Sequence, residues 1–150
     1  MRRKLILFTD LDGSLLDHQG YSCEGARSAL ERIRDLSVPL VFVTSKTRAE
    51  VLRLQGDMDI REPFISENGG GLFFPPGYRN FRIPGGVEQD GRILIRLGRP
   101  YSEIRRFVEE RKTRFGIRGV GDMSIGELVE ITGLGPEEAR LAKQREFTEP

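Results

Sequence analysis

A chain of 150 residues, with 37% hydrophobic and 31% charged positions, can bury a real core and fits one compact domain or two small ones. Fibrous, disordered and disulfide-built classes are excluded. The 24 Lys and Arg residues against 23 Asp and Glu give a formal net charge of +1, so no global basic field draws the chain to nucleic acid. Cys23 is the only cysteine, which rules out an internal disulfide or a cysteine-based zinc cluster and points to a reducing compartment. No apolar run approaches the roughly 18 residues that cross a bilayer, and MRRKLILF gives way to acidic FTDLD too soon for a signal-peptide core. The expectation is a cytoplasmic protein without membrane or nucleic-acid partners.

Residues 4–9 form a short, nearly all-apolar run behind a basic tip, which predicts a strand buried on both faces. The polar loop DLDGSLLDHQG follows it. Ser22 is a candidate N-cap for a helix through Leu36, on which Ala26, Ala29, Leu30, Ile33 and Leu36 fall at helical spacing. Residues 39–43 are a second β-branched run, and TSKT opens a second helix over residues 48–54. Two successive strand-loop-helix units predict a parallel sheet.

Phe64 and Ile65 make a third strand ending in SENGGG, and residues 72–74 a fourth before the breaker PPG. The pattern then changes to α+β. Ile93, Ile95 and Leu97 alternate as a strand, Ile104, Phe107 and Val108 mark a helix through Thr113, and Phe115 with Ile117 predicts another strand. Residues 124–131 and 136–143 predict two short helices separated by Gly133 and Gly135, and the closing REFTEP reads as the start of a further strand. The predicted organisation is a core half over residues 1–84 and an α+β subdomain over residues 85–150. With at most four strands to bury its faces, the sheet looks like the first part of a larger one.

Three strand-end loops carry the chemistry. Asp10 and Asp12 end the first strand, where open parallel sheets place ligands, and a loop leaving the strand can aim both carboxylates at one cation or one phosphorus. An ordinary Asx turn explains the same tetrapeptide equally well. Thr44 to Thr47 combine hydroxyls, the free N–H groups of a helix start and the charge of Lys46, a phosphate-binding set, although capping by Ser45 or Thr47 accounts for them too. SENGGG contributes Asn68 and Gly69, or is simply a hairpin turn. Convergence of the three loops on one sheet edge favours a ligand site.

FTDLDGSLLD, VFVTSKTRAEV and FISENGGGLF together resemble the first half of a haloacid-dehalogenase-superfamily phosphatase. SKT, ENGG, GDMSIGELVEITGL and the REFTEP ending are similar to the mannosyl-3-phosphoglycerate phosphatase family within it. The resemblance implies a Rossmann-like core with an α+β cap, a Mg2+ cofactor and a phosphoaspartyl mechanism on a phosphorylated sugar-glycerate. Asp10 would be the nucleophile and a metal ligand. Asp12 would be the general acid and base, its carbonyl also on the metal. Thr44, Ser45, Lys46, Asn68 and Gly69 would face phosphate and substrate. The superfamily's later lysine and acidic metal-binding loop have no counterpart here, and Asp122 of GVGDMS is not read as that ligand. Nine basic residues of the second half, Arg92, Arg96, Arg99, Arg105, Arg106, Arg111, Lys112, Arg114 and Arg118, could form a lid for an anionic substrate or a solvated face. His18 reads as a loop residue. Phosphatases of other sugar phosphates, and a non-catalytic phosphate- and metal-binding remnant, are the competing readings. Oligomeric state has no signature in the sequence.

Overall fold

The computed structural model describes residues 5–17 and 22–150; Lys4, His18 and the remainder of the first strand's basic tip lie outside them. Among the described residues, six strands form one mixed sheet in the order β1-β2-β3-β4-β6-β5. β1 (Leu7–Thr9), β2 (Leu40–Val43) and β3 (Phe64–Ser66) pair in parallel, as the two strand-loop-helix units predict. β4 (Gly71–Phe74), β6 (Arg92–Arg96) and β5 (Val87–Gln89) continue it antiparallel. β5 and β6 meet at Asp90 and Gly91, both at positive φ, the two-residue turn that matches strand twist.

α1 (Arg27–Asp35) follows a 3-10 turn over Glu24–Ala26; Ser22 Oγ accepts from the Glu24 amide, but the N-cap of that turn is Cys23 and that of α1 is Ala26, so Ser22 does not cap α1. α2 (Arg48–Asp57) begins with a capping box in which Thr47 and Glu50 satisfy each other's backbone N–H groups. Leu11, Leu16, Leu40, Phe42, Val51, Phe64, Phe73, Leu94 and Phe147 form the main core, with Leu30 and Ile33 of α1 packed against it. A smaller core lies between α5 (Ile125–Thr132) and α6 (Pro136–Ala142), around Leu128, Ala139 and Ala142.

Three local expectations are corrected. β1 is not buried on both faces. Among the described residues it lies at the edge of the sheet, paired with β2, and Phe8 is 60% exposed while Leu7 packs toward the core. Phe115 and Ile117 do not make a strand: Phe115 closes the short helix α4 (Lys112–Phe115), which follows α3 (Tyr101–Glu109), and Gly116 stops it in the left-handed conformation. REFTEP is not a strand either, because its amides are taken by a carboxylate, described next.

Candidate active site

The parallel strands end in three loops that share one rim. β1 delivers Asp10 and Asp12. The chain then curls back, with the Gly13 amide donating to the Leu16 carbonyl at 2.9 Å and Gly13 at φ +71°, a conformation glycine adopts without strain. β2 delivers Thr44, Ser45 and Lys46. Since Thr47 supplies the cap of α2, Thr44 and Ser45 are left for other work: Thr44 Oγ1 accepts from the Lys46 amide at 3.2 Å, and Ser45 is exposed. β3 delivers Asn68.

The second and third loops are stitched together by backbone bonds, Glu67 N–H to the Lys46 carbonyl and Asn68 N–H to the Thr44 carbonyl, each 3.0 Å. An open cleft of about 600 Å³ results, lined by Asp10, Asp12, Thr44, Ser45 and Asn68 together with Phe8, Thr9 and Val43. Lys46 joins it by charge, its Nζ lying 2.8 Å from Asp12 Oδ1. Gly69 follows Asn68 at φ +93° with open space around it.

Two features of the site escaped the sequence. Glu67, 1% exposed, accepts from the amides of Glu146 (2.8 Å), Phe147 (3.0 Å) and Thr148 (2.8 Å) and from the Thr148 hydroxyl (2.8 Å). This latch holds residues 146–148 against the third loop. Gly70 and Gly71 are part of it, because a Cβ on them would lie 2.3 Å from Phe147 Cβ and 2.6 Å from Phe147 Cε2. The second feature is Arg145, whose Nη1 donates to the Ser45 carbonyl at 2.8 Å. Arg48 secures the same segment from α2, pairing with Glu146 at 3.1 Å and Asp90 at 2.8 Å.

None of the nine basic residues of the second half lines the cleft. Arg105 instead pairs with Asp122, Glu149 and Glu109, and Lys112 with Glu109 and Asp122. The Arg105 guanidinium, then the Gly119 amide, hold the Asp122 carboxyl well below the usual carboxylate range. Asp122 is thus a structural ion-pair partner.

A model of the haloacid dehalogenase-like hydrolase family matches residues 7–73, the stretch that carries all three loops. Over that stretch the chain is similar to that family. It is 51% identical over 97% of its length to a glucosyl-3-phosphoglycerate/mannosyl-3-phosphoglycerate phosphatase of Persephonella marina, of which it covers 54%. A protein of the same name from Methanococcoides burtonii is 41% identical over 97% of the chain and 54% of the relative, and a mannosyl-3-phosphoglycerate phosphatase of Pyrococcus horikoshii 33% identical over 96% and 58%. The chain therefore spans about half the length of the curated relatives it matches. Solved structures agree on the fold: a haloacid dehalogenase-like hydrolase of B. subtilis aligns over 94% of this chain and 51% of its own, with TM-score 0.52 and 17% identity. A hypothetical protein of Geobacillus kaustophilus aligns over 75% and 37%, with TM-score 0.52 and 22% identity.

Proposed function

We propose that this chain supplies the nucleophile half of a phosphatase that hydrolyses mannosyl-3-phosphoglycerate to mannosylglycerate and phosphate. The observation that carries the reading is the meeting of Asp10, Asp12, Thr44, Ser45 and Asn68 around one cleft at the ends of parallel strands, where open sheets bind ligands. The names of the relatives support the substrate. The Persephonella and Methanococcoides names include the glucosyl compound, so glucosyl-3-phosphoglycerate is the second substrate to test.

In this reading an Asp10 carboxylate oxygen attacks phosphorus and the ester oxygen leaves with its electron pair, taking a proton from Asp12. Asp12 then removes a proton from the water that attacks the phosphoaspartyl phosphorus, which frees phosphate and restores Asp10. Lys46 Nζ lies 2.8 Å from Asp12 Oδ1, and an incoming anion would give its ammonium a second partner. Thr44 and Ser45 hydroxyls and the Asn68 side chain donate to phosphoryl oxygens. Residues 1–84 act as the first half of the core and residues 85–150 as the cap, in a cytoplasmic setting. Among the described residues no helix is long and apolar enough to cross a membrane.

Asp10 and Asp12 offer the hard oxygen donors that Mg2+ takes, and among the described residues no third acid, histidine or cysteine joins them. Magnesium is commonly held by one or two carboxylates with water and substrate phosphate, so the pair fits it: the Asp10 carboxylate and Asp12 carbonyl would hold the ion. When bound, it supplies positive charge against the anionic nucleophile and phosphate.

Phosphate release from mannosyl-3-phosphoglycerate tests the proposal, measured on this chain alone and on the chain joined to the half of the Persephonella relative that it does not match. The joined protein should turn over and lose all turnover on Asp10→Asn, while the chain alone should release little. Turnover that survives Asp10→Asn in a folded protein refutes the nucleophile. Phosphate binding without turnover in the joined protein leaves only the binding-module reading.

A further inference from the structure

Lys46 reaches the site from behind. Its backbone is pinned on both sides, the amide donating to Thr44 Oγ1 at 3.2 Å and the carbonyl accepting from the Glu67 amide at 3.0 Å. From that anchor the side chain leaves on the α2 side. It lines a cavity of about 320 Å³ together with Leu16, Leu54 and Leu141, and it is not among the residues that line the phosphate cleft. A lysine stem covers apolar surface well while its charged end seeks a polar partner, and this one is only 13% exposed. The ammonium lies 2.8 Å from Asp12 Oδ1 and 3.9 Å from Glu50 Oε1.

Asp12 takes that ammonium on one oxygen and keeps the other for the cleft. Its side chain as a whole is 39% exposed, yet Oδ1 is out of solvent and has no partner among the described residues but Lys46. The exposure therefore belongs to the rest of the carboxylate group, which lines the cleft. The backbone beneath it is already fixed by the bridge between Asp12 and Leu16 and by the bond from the Gly13 amide to the Leu16 carbonyl. What is left to fix is rotation about the side-chain bonds, and the charge on Lys46 selects one rotamer.

We propose that Lys46 is a positioning residue for Asp12, and that Glu50 holds Lys46 to that task. The clamp on Oδ1 presents Oδ2 to the ester oxygen, so the proton given to the leaving group and the one taken from water both pass through Oδ2. The use of the clamp in turnover rests on the phosphatase reading; the clamp itself does not. Asp10 and an incoming phosphate are anionic and share the cleft with Asp12, so their repulsion drives an unheld carboxylate outward. A displacement of about 1 Å at a reacting group costs on the order of a hundredfold in rate. Glu50 uses one oxygen for the start of α2, Oε2 accepting from the Thr47 amide at 2.8 Å, which leaves Oε1 for the ammonium. With Lys46 13% and Glu50 11% exposed, salt and water screen that pair little.

Nuclear magnetic resonance on this chain tests the clamp without turnover. Three-bond couplings to the Asp12 β-protons report whether the side chain holds one rotamer. They should show a single rotamer in the parent, averaging over at least two in Lys46→Gln, and a single rotamer again in Lys46→Arg, which restores the charge. Glu50→Gln keeps an oxygen for the Thr47 amide, since glutamine also serves in a capping box, and should average Asp12 in part while the α2 amides stay in place. In the parent, saturating phosphate should shift the Thr44 and Ser45 amides and leave the Asp12 couplings unchanged. The inference is overturned by an Asp12 rotamer held as well in Lys46→Gln as in the parent, averaged alike in Lys46→Gln and Lys46→Arg, untouched by Glu50→Gln, or freed by phosphate. Phosphate that shifts none of Thr44, Ser45 and Asn68 counts against the phosphatase reading and leaves the rotamer result standing.

Discussion

Glu67→Gln is the most direct probe of how the site is held. The amide has the carboxylate's shape but only one oxygen. Glu67 Oε2 takes the bonds from Phe147 N, Thr148 N and Thr148 Oγ1, so the glutamine oxygen belongs there, and its NH2 then points at the Glu146 N–H across what was a 2.8 Å bond. That bond to a charged group, worth about 1.5–3 kcal/mol, becomes a donor facing a donor. The other three bonds lose their charge assistance, offset in part because a neutral amide is less costly to bury than a carboxylate. A loss of about 3 kcal/mol is expected, a large share of the 5–15 kcal/mol typical of a domain. Urea unfolding followed by circular dichroism should show the midpoint falling by about 1–3 M at unchanged slope. Hydrogen exchange should accelerate at the Phe147 and Thr148 amides before it does in β2. A drop below about 1 kcal/mol, with those amides still protected, would refute the latch.

Phe147→Ala should cost about 3–5 kcal/mol, because the ring is 5% exposed and packs 6.5 Å, centroid to centroid, from Phe73. Gly71→Ala should cost about 1–3 kcal/mol by driving a methyl to 2.6 Å from Phe147 Cε2, and the double variant should lose less than the sum of the two in denaturant titrations. The Ser124 amide and then Arg118 bring the Glu127 carboxyl down to about 2, and Arg105 lowers Asp122 in the same sense. Both carboxyls are depressed on folding, so their stabilisation is present above the ordinary carboxylate range and is lost as pH falls from about 4.5 toward 2. Thermal unfolding against pH should show that fall, and Glu127→Gln should flatten it and close the gap to the parent at low pH.

The three strand-end loops were legible because each combines local signals: an apolar run, a turn residue, and side chains whose chemistry needs no partner elsewhere to be recognised. The expectation that Thr44 and Lys46 face phosphate came from TSKT alone, and the structure adds that the cap of α2 is Thr47, not Ser45. The latch was not legible. Its partners lie 79–81 residues from Glu67, and a glutamate in SENGGG looks like any polar loop residue. Gly70 and Gly71 were equally misleading: glycines after an asparagine suggest a loop open to a ligand, whereas here they make room for Phe147. Position in the sheet was hidden for a different reason. An apolar run has the same pattern whether its strand is central or, like β1 among the described residues, at an edge, since periodicity records a strand's faces and not its neighbours.

The strain in the third loop shows why the latch matters to the cleft. Glu67 and Asn68 both sit at positive φ, +49° and +57°. Asparagine tolerates that region, but for glutamate it costs about 1–2 kcal/mol. The turn they make is what aligns the Asn68 amide with the Thr44 carbonyl and brings Asn68 to the cleft. Glu67 accepts the unfavourable backbone because its side chain, from that backbone, reaches all three amides of residues 146–148. Backbone and side chain therefore act in opposite directions at one residue, and two truncations separate them. Glu67→Ala removes the bonds and keeps the strain; Glu67→Gly removes both. In the folded state relief of strain favours glycine by about 1–2 kcal/mol, against which the greater freedom of an unfolded glycine chain sets about 0.5–1 kcal/mol. Glu67→Gly should accordingly unfold at slightly higher urea than Glu67→Ala, both far below the parent. If alanine proves clearly the more stable, the turn is not held against its own preference, and Asn68 reaches the cleft without help from Glu67.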